Sequence, residues 1–267
     1  MGNILICEPS VSDATNGPYF ATSTLLSAPK RNLTTMQPKE VWESTGIGTQ
    51  VLKFQFNGGT PASMNFAALL FSNLTSSAVV TWEGRNNTSA TTSVWSYTTS
   101  IAAGMSGYER PHAFYYSTSG WTTPVLWVSI ADTANPDGVY RAGRFYAGNA
   151  YVPTYNAMYG LRLTYDQATD EVVTVARERI LRDTEPIPGA AFTLQAFGSG
   201  AWNEMMTYIH PLLRQRGASK DVVVVVDPAD GTYAGRLVLY GTMQQRTEIS
   251  FPQYNVYETS LEIRGLI

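Results

Sequence analysis

Aromatic side chains are the residues whose types point most directly to recognition chemistry in this sequence. The 267 residues include 6 Trp, 16 Tyr and 10 Phe. Aromatic rings can form stacking platforms for sugars, although in β-rich proteins they more often form the core or a subunit interface. Five of them are our candidates for contacts with a glycan or a neighbouring subunit: Trp82, Trp95, Trp121, Tyr115 and Tyr155.

Groups suited to metal binding or nucleophilic catalysis are few. Cys7 is the single cysteine, and His112 and His210 are the two histidines, so the sequence contains no zinc cluster of the usual N/S type. It also contains no Gly-x-Ser-x-Gly elbow and no glycine-rich phosphate loop. We therefore predict no catalytic, cofactor-binding or metal-binding residues, no cofactor and no enzyme activity.

Carboxylates are scattered along the chain. Asp166, Asp170 and Glu171 come nearest to a pair of catalytic acids. They lie between two strand patterns, which favours a hairpin over a glycosidase site. Residues 227–231 carry two acids in a turn-forming sequence, which favours a turn over a calcium loop. A hydrolase with dispersed acids stays open as an alternative.

Charge and hydropathy exclude several classes of partner. Charged residues make up 15% of the chain, the net charge is −3 and the isoelectric point is near 5.4. This balance gives no electrostatic footprint for nucleic acid. No apolar run approaches 18 residues, and the N-terminus lacks a signal-peptide pattern, so we expect no membrane span and folding in a reducing cytosol.

The clearest secondary-structure signal is a helix over residues 200–216. Its apolar residues recur at helical spacing, Ser199 is a candidate N-cap, and Pro211 predicts a kink near residues 207–211. The apolar run 222–226 follows as a buried strand, and two further strands lead to the C-terminus. This part of the chain predicts one long helix on a small, mostly antiparallel sheet.

The first half of the chain has a different pattern. Short alternating strands, such as 51–56 and 78–83, are separated by turn signals every 8 to 12 residues or so, which indicates a β-sandwich. The Asp/Asn/Pro-rich segment 131–138 is the predicted domain junction. We therefore divide the chain into an N-terminal strand and arm (1–30), a sandwich (31–138) and a second module (139–267).

Two stretches resemble known families. The run Asn32-Leu33, Val41-Trp42-Glu43-Ser44, the apolar strand 66–71 and Asn73-Leu74-Thr75 resembles an N-terminal segment of bacteriophage tail proteins, which is similar to galactose-binding-like sandwiches. Residues 140–267 resemble the tail-tube-like fold of phage tail-tip proteins. The resemblance implies a mainly β chain: a galactose-binding-like β-sandwich plus a tail-tube-like β-barrel with one flanking α-helix.

The function implied by the resemblance is structural. We expect a virion protein of a long-tailed bacteriophage, similar to a distal tail protein and assembled in the bacterial host cytoplasm. It would form a homo-oligomeric ring, a hexamer or a trimer, with other tail proteins and a host surface glycan as further partners. The alternative from a different class is a carbohydrate-binding adhesin or virion decoration protein.

Overall fold

Antiparallel strands dominate the computed structural model, and one helical segment accompanies them. The structure describes residues 3–9, 18–101, 110–157, 160–166, 170–173, 179–182, 186–216, 218–230, 234–244 and 248–266. The chain divides into two compact units. The first comprises Met1–Val152 and Val224–Val238, and the second comprises Pro153–Val223 and Leu239–Ile267. The prediction of a mainly β chain is confirmed.

The strands are, in chain order, β1 (Leu5–Pro9), β2 (Pro18–Ala21), β3 (Trp42–Glu43), β4 (Gln50–Gln55), β5 (Ala62–Leu70), β6 (Val79–Arg85), β7 (Trp95–Ser100), β8 (Ala113–Thr123), β9 (Val125–Ala131), β10 (Arg141–Ala142), β11 (Arg144–Tyr151), β12 (Arg162–Asp166), β13 (Asp170–Val173), β14 (Arg179–Arg182), β15 (Ile187–Phe197), β16 (Asp221–Val225), β17 (Val238–Met243), β18 (Ile249–Gln253) and β19 (Val256–Gly265). Two short 3₁₀ turns, Lys30–Thr34 and Asn57–Gly59, lie between strands of the first unit. The helix α1 spans residues 201–216.

The first unit is a β-sandwich. One sheet has five antiparallel strands in the order β2-β4-β9-β6-β7, and the other has the order β1-β11-β5-β8 within this unit. Their inner faces share one hydrophobic core, in which the Phe54 and Phe145 rings stack with centroids 3.5 Å apart. Alternation of apolar and polar residues puts every second side chain of β4 and β9 into this core.

Pairing in the sandwich differs from the predicted division of the chain. β1 pairs with β11, and β2 pairs with β4, so residues 1–30 contribute two strands to the first unit. β11, which the sequence analysis assigned to the second module, pairs with β5 of the sandwich. Because strand pairing joins segments that are distant in sequence, local composition does not locate this boundary.

The segment predicted as the domain junction, 131–138, is a loop fastened to the sandwich. Asp132 is buried and accepts hydrogen bonds from the Thr75 backbone N–H (2.7 Å), the Thr75 hydroxyl (2.8 Å) and the Ser77 hydroxyl (3.1 Å). The Tyr140 hydroxyl accepts from the Asp132 N–H (2.8 Å) and donates to the Ile47 carbonyl (2.6 Å). The Asp and Asn residues of this segment anchor a loop, as such residues often do in turns.

The second unit contains an antiparallel sheet in the order β12-β15-β19-β17, with β18 also paired to β19. β13 and β14 form a separate two-stranded ladder. In the described residues of this unit the strands form an open sheet, and the closed barrel implied by the resemblance is not found among them. The prediction of a small antiparallel sheet with one long helix is confirmed.

The helix α1 has an unusual middle turn. An α-helical turn, Ala201–Glu204, passes into a π-helical turn, Met205–Ile209, and then into the α-helix His210–Arg216. Pro211 lacks an N–H, and the π turn, which ends two residues before it, overlaps the first part of residues 207–211, where the sequence predicted a kink. Met205, Ile209 and Leu212 are buried as predicted, whereas Trp202, predicted on the same apolar face, is 48% exposed. The predicted cap at Ser199 is wrong, because Gly200 is the N-cap and no side chain bonds to it.

No helix in the described ranges is long and apolar enough to cross a membrane.

Candidate functional site

The structure separates the five aromatic residues singled out in the sequence. Trp95, Tyr115 and Trp121 lie together at one edge of the sandwich. Trp82 is completely buried in the core, and its indole N–H donates to the Thr99 hydroxyl (3.0 Å). Tyr155 belongs to the second unit, where its ring contacts Phe197 edge-on. Three of the five candidates therefore form one cluster.

A fourth ring, Tyr97, completes this edge cluster, which comprises Trp95, Tyr97, Tyr115 and Trp121. The Tyr97 and Tyr115 rings stack with centroids 4.3 Å apart and planes 24° apart. Tyr115 and Trp121 stack in turn, at 5.0 Å and 22°. Tyr115 thus lies between two other rings, and Tyr97 is the outermost of the stack, 48% exposed.

The cluster forms because its members occupy inward-facing positions on two edge strands. Tyr97 pairs with the core residue Trp82 across β6 and β7. Tyr115 pairs with the core residue Ala67 across β5 and β8. Directly opposed residues in an antiparallel pair share a face, so both rings point to the inside of the sandwich at the place where its edge is open.

Gly84 makes room for the Trp95 ring. A Cβ atom at Gly84 would lie 2.1 Å from the Trp95 indole nitrogen. The indole therefore packs directly on the β6 backbone, and any side chain at position 84 would displace it. The indole N–H groups of Trp95 and Trp121 are buried and have no acceptor among the described residues.

A cleft of about 330 Å³ opens beside the outer part of the edge cluster. This is within the size range of small-molecule sites in proteins. Its lining combines aromatic rings with hydroxyl, imidazole and carboxylate groups, and every described lining residue belongs to the first unit. The lining residues are Tyr97, Thr98, Thr99, His112, Ala113, Phe114, Tyr115, Tyr116, Pro228, Asp230, Ala234 and Gly235.

His112 is held in its neutral form at the wall of this cleft. Its Nδ1 accepts a hydrogen bond from the backbone N–H of Phe71 (3.0 Å), and the two rings meet edge-on. Burial lowers the pKa of His112 from 6.5 to about 4. Since Nδ1 is the acceptor, the proton of the neutral ring is on Nε2, which makes that nitrogen a hydrogen-bond donor near neutral pH.

The bond from Phe71 also supports an unusual backbone conformation. Phe71 has a φ of 54°, in the left-handed region that bulky residues rarely adopt. Such a residue persists only where its surroundings hold it. His112 therefore has a structural role in addition to its place in the cleft wall.

The acids proposed as an alternative catalytic group do not form the predicted hairpin in the described residues, because β12 pairs with β15 and β13 pairs with β14. Asp166 ends β12, and Asp170 and Glu171 begin β13, whose side chains are outside the described part. Asp227 forms the predicted turn, accepting a bond from the Ala229 N–H (3.2 Å). Among the described residues, no group of three His, Cys, Asp or Glu side chains could hold a metal ion.

Tyr97, Asp230 and the place of His112 in the cleft wall were not predicted from the sequence. Tyr97 lies two residues from Trp95 in the same strand pattern, so the period-2 rule applied to Trp95 could have found it. Asp230 follows β16 and lines the same cleft as Tyr97, although the two residues are more than 100 positions apart in sequence. No local signal marks that contact.

Comparisons with known proteins give likenesses of structure only. No family model and no curated protein matches this chain. The chain is similar to the CBM32-3 module of a family 31 glycoside hydrolase from Clostridium perfringens, with 14% identity, a TM-score of 0.41, and coverage of 51% of this chain and 94% of that one.

Two further solved structures are similar. One is the family 32 carbohydrate-binding module of C. perfringens NanJ in complex with galactose (12% identity, TM-score 0.39, 52% of this chain and 97% of that one). The other is a fucolectin from striped bass (Morone saxatilis) serum (10%, TM-score 0.36, 96% and 98%). None of these three is a phage tail protein, so the predicted relation to tail-tip proteins stays a prediction.

Proposed function

We propose that the first unit is a carbohydrate-binding module and that it binds an uncharged sugar in the cleft beside the edge cluster. The observation that carries this proposal is the Tyr97 ring. It is half exposed, and Tyr115 supports it from behind at 4.3 Å in the wall of a cleft lined by polar groups.

The chemistry of the cleft fits a sugar ring. A pyranose has one face of C–H groups that can pack on an aromatic ring and bury apolar surface. Its hydroxyl groups need both donors and acceptors. Here, His112 Nε2 is a donor, the Asp230 carboxylate is an acceptor, and the Thr98 and Thr99 hydroxyls can act as either.

The charge of the cleft supports an uncharged ligand. Asp230 is an acid, and no Lys or Arg is among the described lining residues. A carboxylate or sulfate group on the ligand would therefore lack a positive partner there, and desolvating it would be costly. The similar solved structures include a module in complex with galactose and a fucolectin, but the proposal rests on the cleft.

A glycan array followed by titration tests the proposal. We expect the chain to bind neutral glycans, and we expect Tyr97→Ala to weaken the strongest interaction at least tenfold because the stacking surface is lost. Tyr97→Phe keeps the ring and should stay within about threefold. Tyr254→Ala is the matched control, because Tyr254 is 93% exposed and lies in the second unit.

Two results would contradict the proposal. One is an array on which the folded chain binds no neutral glycan. The other is a bound glycan whose affinity is the same for the parent chain and for Tyr97→Ala.

A second candidate, the self-assembling virion component predicted from the sequence, is favoured by β12. This strand lies at one end of the second unit's sheet, and its residues are exposed along its whole length. Leu163 pairs with the buried Ala190, so its side chain extends the core-facing side of the sheet, yet it is 39% exposed. An exposed edge strand of this kind is a template for pairing with another chain.

Sedimentation and negative-stain imaging test this second candidate. A ring or other closed oligomer that dissociates on Leu163→Lys would support it. A chain that stays monomeric at high concentration would count against it, whatever the outcome of the glycan array.

A further inference from the structure

A row of large side chains crosses the outer face of the five-stranded sheet. Phe20 of β2 pairs with Lys53 of β4, Lys53 pairs with Trp127 of β9, and Trp127 pairs with Glu83 of β6. Directly opposed residues share a face and contact each other. The neighbours of Lys53 and Trp127 along their strands are buried in the core, so the row lies on the side of the sheet away from the core.

Two cations contact the same indole ring. The Lys53 Nζ lies 3.7 Å from the Trp127 ring centroid and 4.5 Å from the Phe20 ring centroid. The Arg85 guanidinium carbon lies 3.6 Å from the Trp127 ring centroid. These contacts are within the range of cation–π interactions. The two cations come from the strands that pair with β9 on either side, and this pairing holds both cations beside the indole ring.

The acids of this face do not balance its cations. Arg85 is only 6% exposed, forms an ion pair with Glu83 (3.0 Å) and donates to the Ala90 carbonyl (3.0 Å), so it adds positive charge from beneath the surface. Lys53 has no acidic partner among the described residues, and Lys30 reaches the same region by donating to the Tyr19 carbonyl (2.5 Å). Counted over the described residues alone, Lys30, Lys53, Arg85 and Glu83 give the patch a formal charge of +2, in a chain whose net charge is −3.

A bound anion would stabilise the charged form of Lys53. Burial, and then the positive charge of Arg85, lower the pKa of Lys53. A nearby negative group would offset both effects. The rings of Tyr19 and Phe20, 37% and 41% exposed, provide apolar surface beside the cations.

We infer that Lys53, Trp127 and the half-exposed rings of β2 form a binding site for an oxyanion, a sulfate or carboxylate group, and that the buried Arg85 adds positive charge behind the indole ring. This site is separate from the cleft and has the opposite selectivity. The anion can come from a free ion or from an acidic polysaccharide, whose sugar rings would also cover Tyr19 and Phe20.

Titration of the full chain at low ionic strength tests this inference. The probes are dextran sulfate, neutral dextran and sodium sulfate, and the signal is the indole N–H resonance of Trp127, assigned with Trp127→Phe. We expect dextran sulfate to shift this resonance, and we expect binding to weaken as salt screens the charges. Neutral dextran should leave the resonance unchanged.

Variants of Lys53 separate a binding role from a merely structural one. Lys53→Gln removes the charge and should weaken dextran sulfate binding at least tenfold, whereas Lys53→Arg should stay within about threefold. Lys39→Gln is the matched control, because Lys39 is an exposed lysine outside the row. Denaturation curves for each variant show whether the fold is intact.

The outcomes distinguish the sources of the anion. Equal shifts with sodium sulfate indicate a site for free oxyanions, and shifts with dextran sulfate alone indicate an acidic polysaccharide. The inference is overturned if neither probe shifts Trp127, if neutral dextran shifts Trp127 equally, or if folded Lys53→Gln binds dextran sulfate like the parent chain. Tyr97→Ala should not alter this titration, so failure of the cleft proposal would remain a separate result.

Discussion

The edge cluster of the first unit and a second group of aromatic rings in the second unit are built from the same residue types in different ways. In the edge cluster, Tyr97, Tyr115 and Trp121 stack at plane angles of 22–24°, and Trp95 is tilted against this stack by 31° and 50°. In the second unit, Phe251 meets Tyr257 at 81° and Trp202 meets Tyr257 at 51°.

Burial differs as strongly as geometry. Trp121 is 8% exposed and belongs to the sandwich core, whereas Trp202 and Phe251 are 48% and 58% exposed. A ring that is supported from behind is fixed before a ligand arrives, so less side-chain entropy is lost on binding. Aromatic composition alone therefore does not identify a binding site. The packing of other side chains behind each exposed ring identifies it.

The largest expected effect is on the free energy of unfolding, and it differs between the two groups of rings. Trp121→Ala should lower the free energy of unfolding by about 3 to 5 kcal/mol, because it leaves a cavity beneath Tyr115. Trp202→Ala removes a half-exposed ring and should cost about 1 kcal/mol or less. Urea denaturation of both variants measures the difference, and equal losses would show that the second group is as well supported as the first.

The next effect concerns pH and the cleft wall. The pKa of His112 is about 4 in the folded chain and near 6.5 in the unfolded chain, so between these values the unfolded state binds more protons. The stability that His112 contributes is complete above pH 6.5 and is lost as the pH falls towards 4. The loss should be up to about 3 kcal/mol.

Denaturation at pH 7 and pH 4.5 measures this loss in the parent chain and in two variants. His112→Gln should reduce the difference between the two pH values, whereas His210→Gln, at an exposed histidine of α1, should leave it unchanged. The assignment to His112 is wrong if both variants behave alike.

The smallest expected effect concerns the contact between Gly84 and the Trp95 indole. Gly84→Ala places a methyl group against the Trp95 indole and should cost about 1 to 3 kcal/mol through overpacking. Gly46→Ala, where no atom lies within 4 Å of the new methyl group, should stay within about 0.5 kcal/mol. Near-UV circular dichroism should report the displaced indole in Gly84→Ala alone.

Local patterns predicted much of the secondary structure. The alternation in β4 and β6, the apolar run of β5, the disturbance before Pro211 and the stripe of α1 except Trp202 match the structure. These features depend on residues within a few positions of each other, and the side-chain periods of 2 and 3.6 connect them directly to burial.

The candidate site was only partly predictable. Trp95, Tyr115 and Trp121 were identified by residue type, but Trp82 has the same type and is entirely in the core. The two outcomes differ because β7 and β8 are edge strands, whereas β6 lies between β9 and β7. Strand order is a property of long-range pairing and has no local signal.

The sequence by itself determined that this chain would be mainly β, with one long helix and few charged groups, because composition and periodicity act through neighbouring residues. Only the tertiary structure decided that β1 and β11 belong to the sandwich, that Tyr97 covers Tyr115, and that Asp230 reaches the same cleft as His112. Those contacts join residues from about 20 to more than 130 positions apart, and the register of paired strands, which brings them together, is fixed by the packing of the whole core.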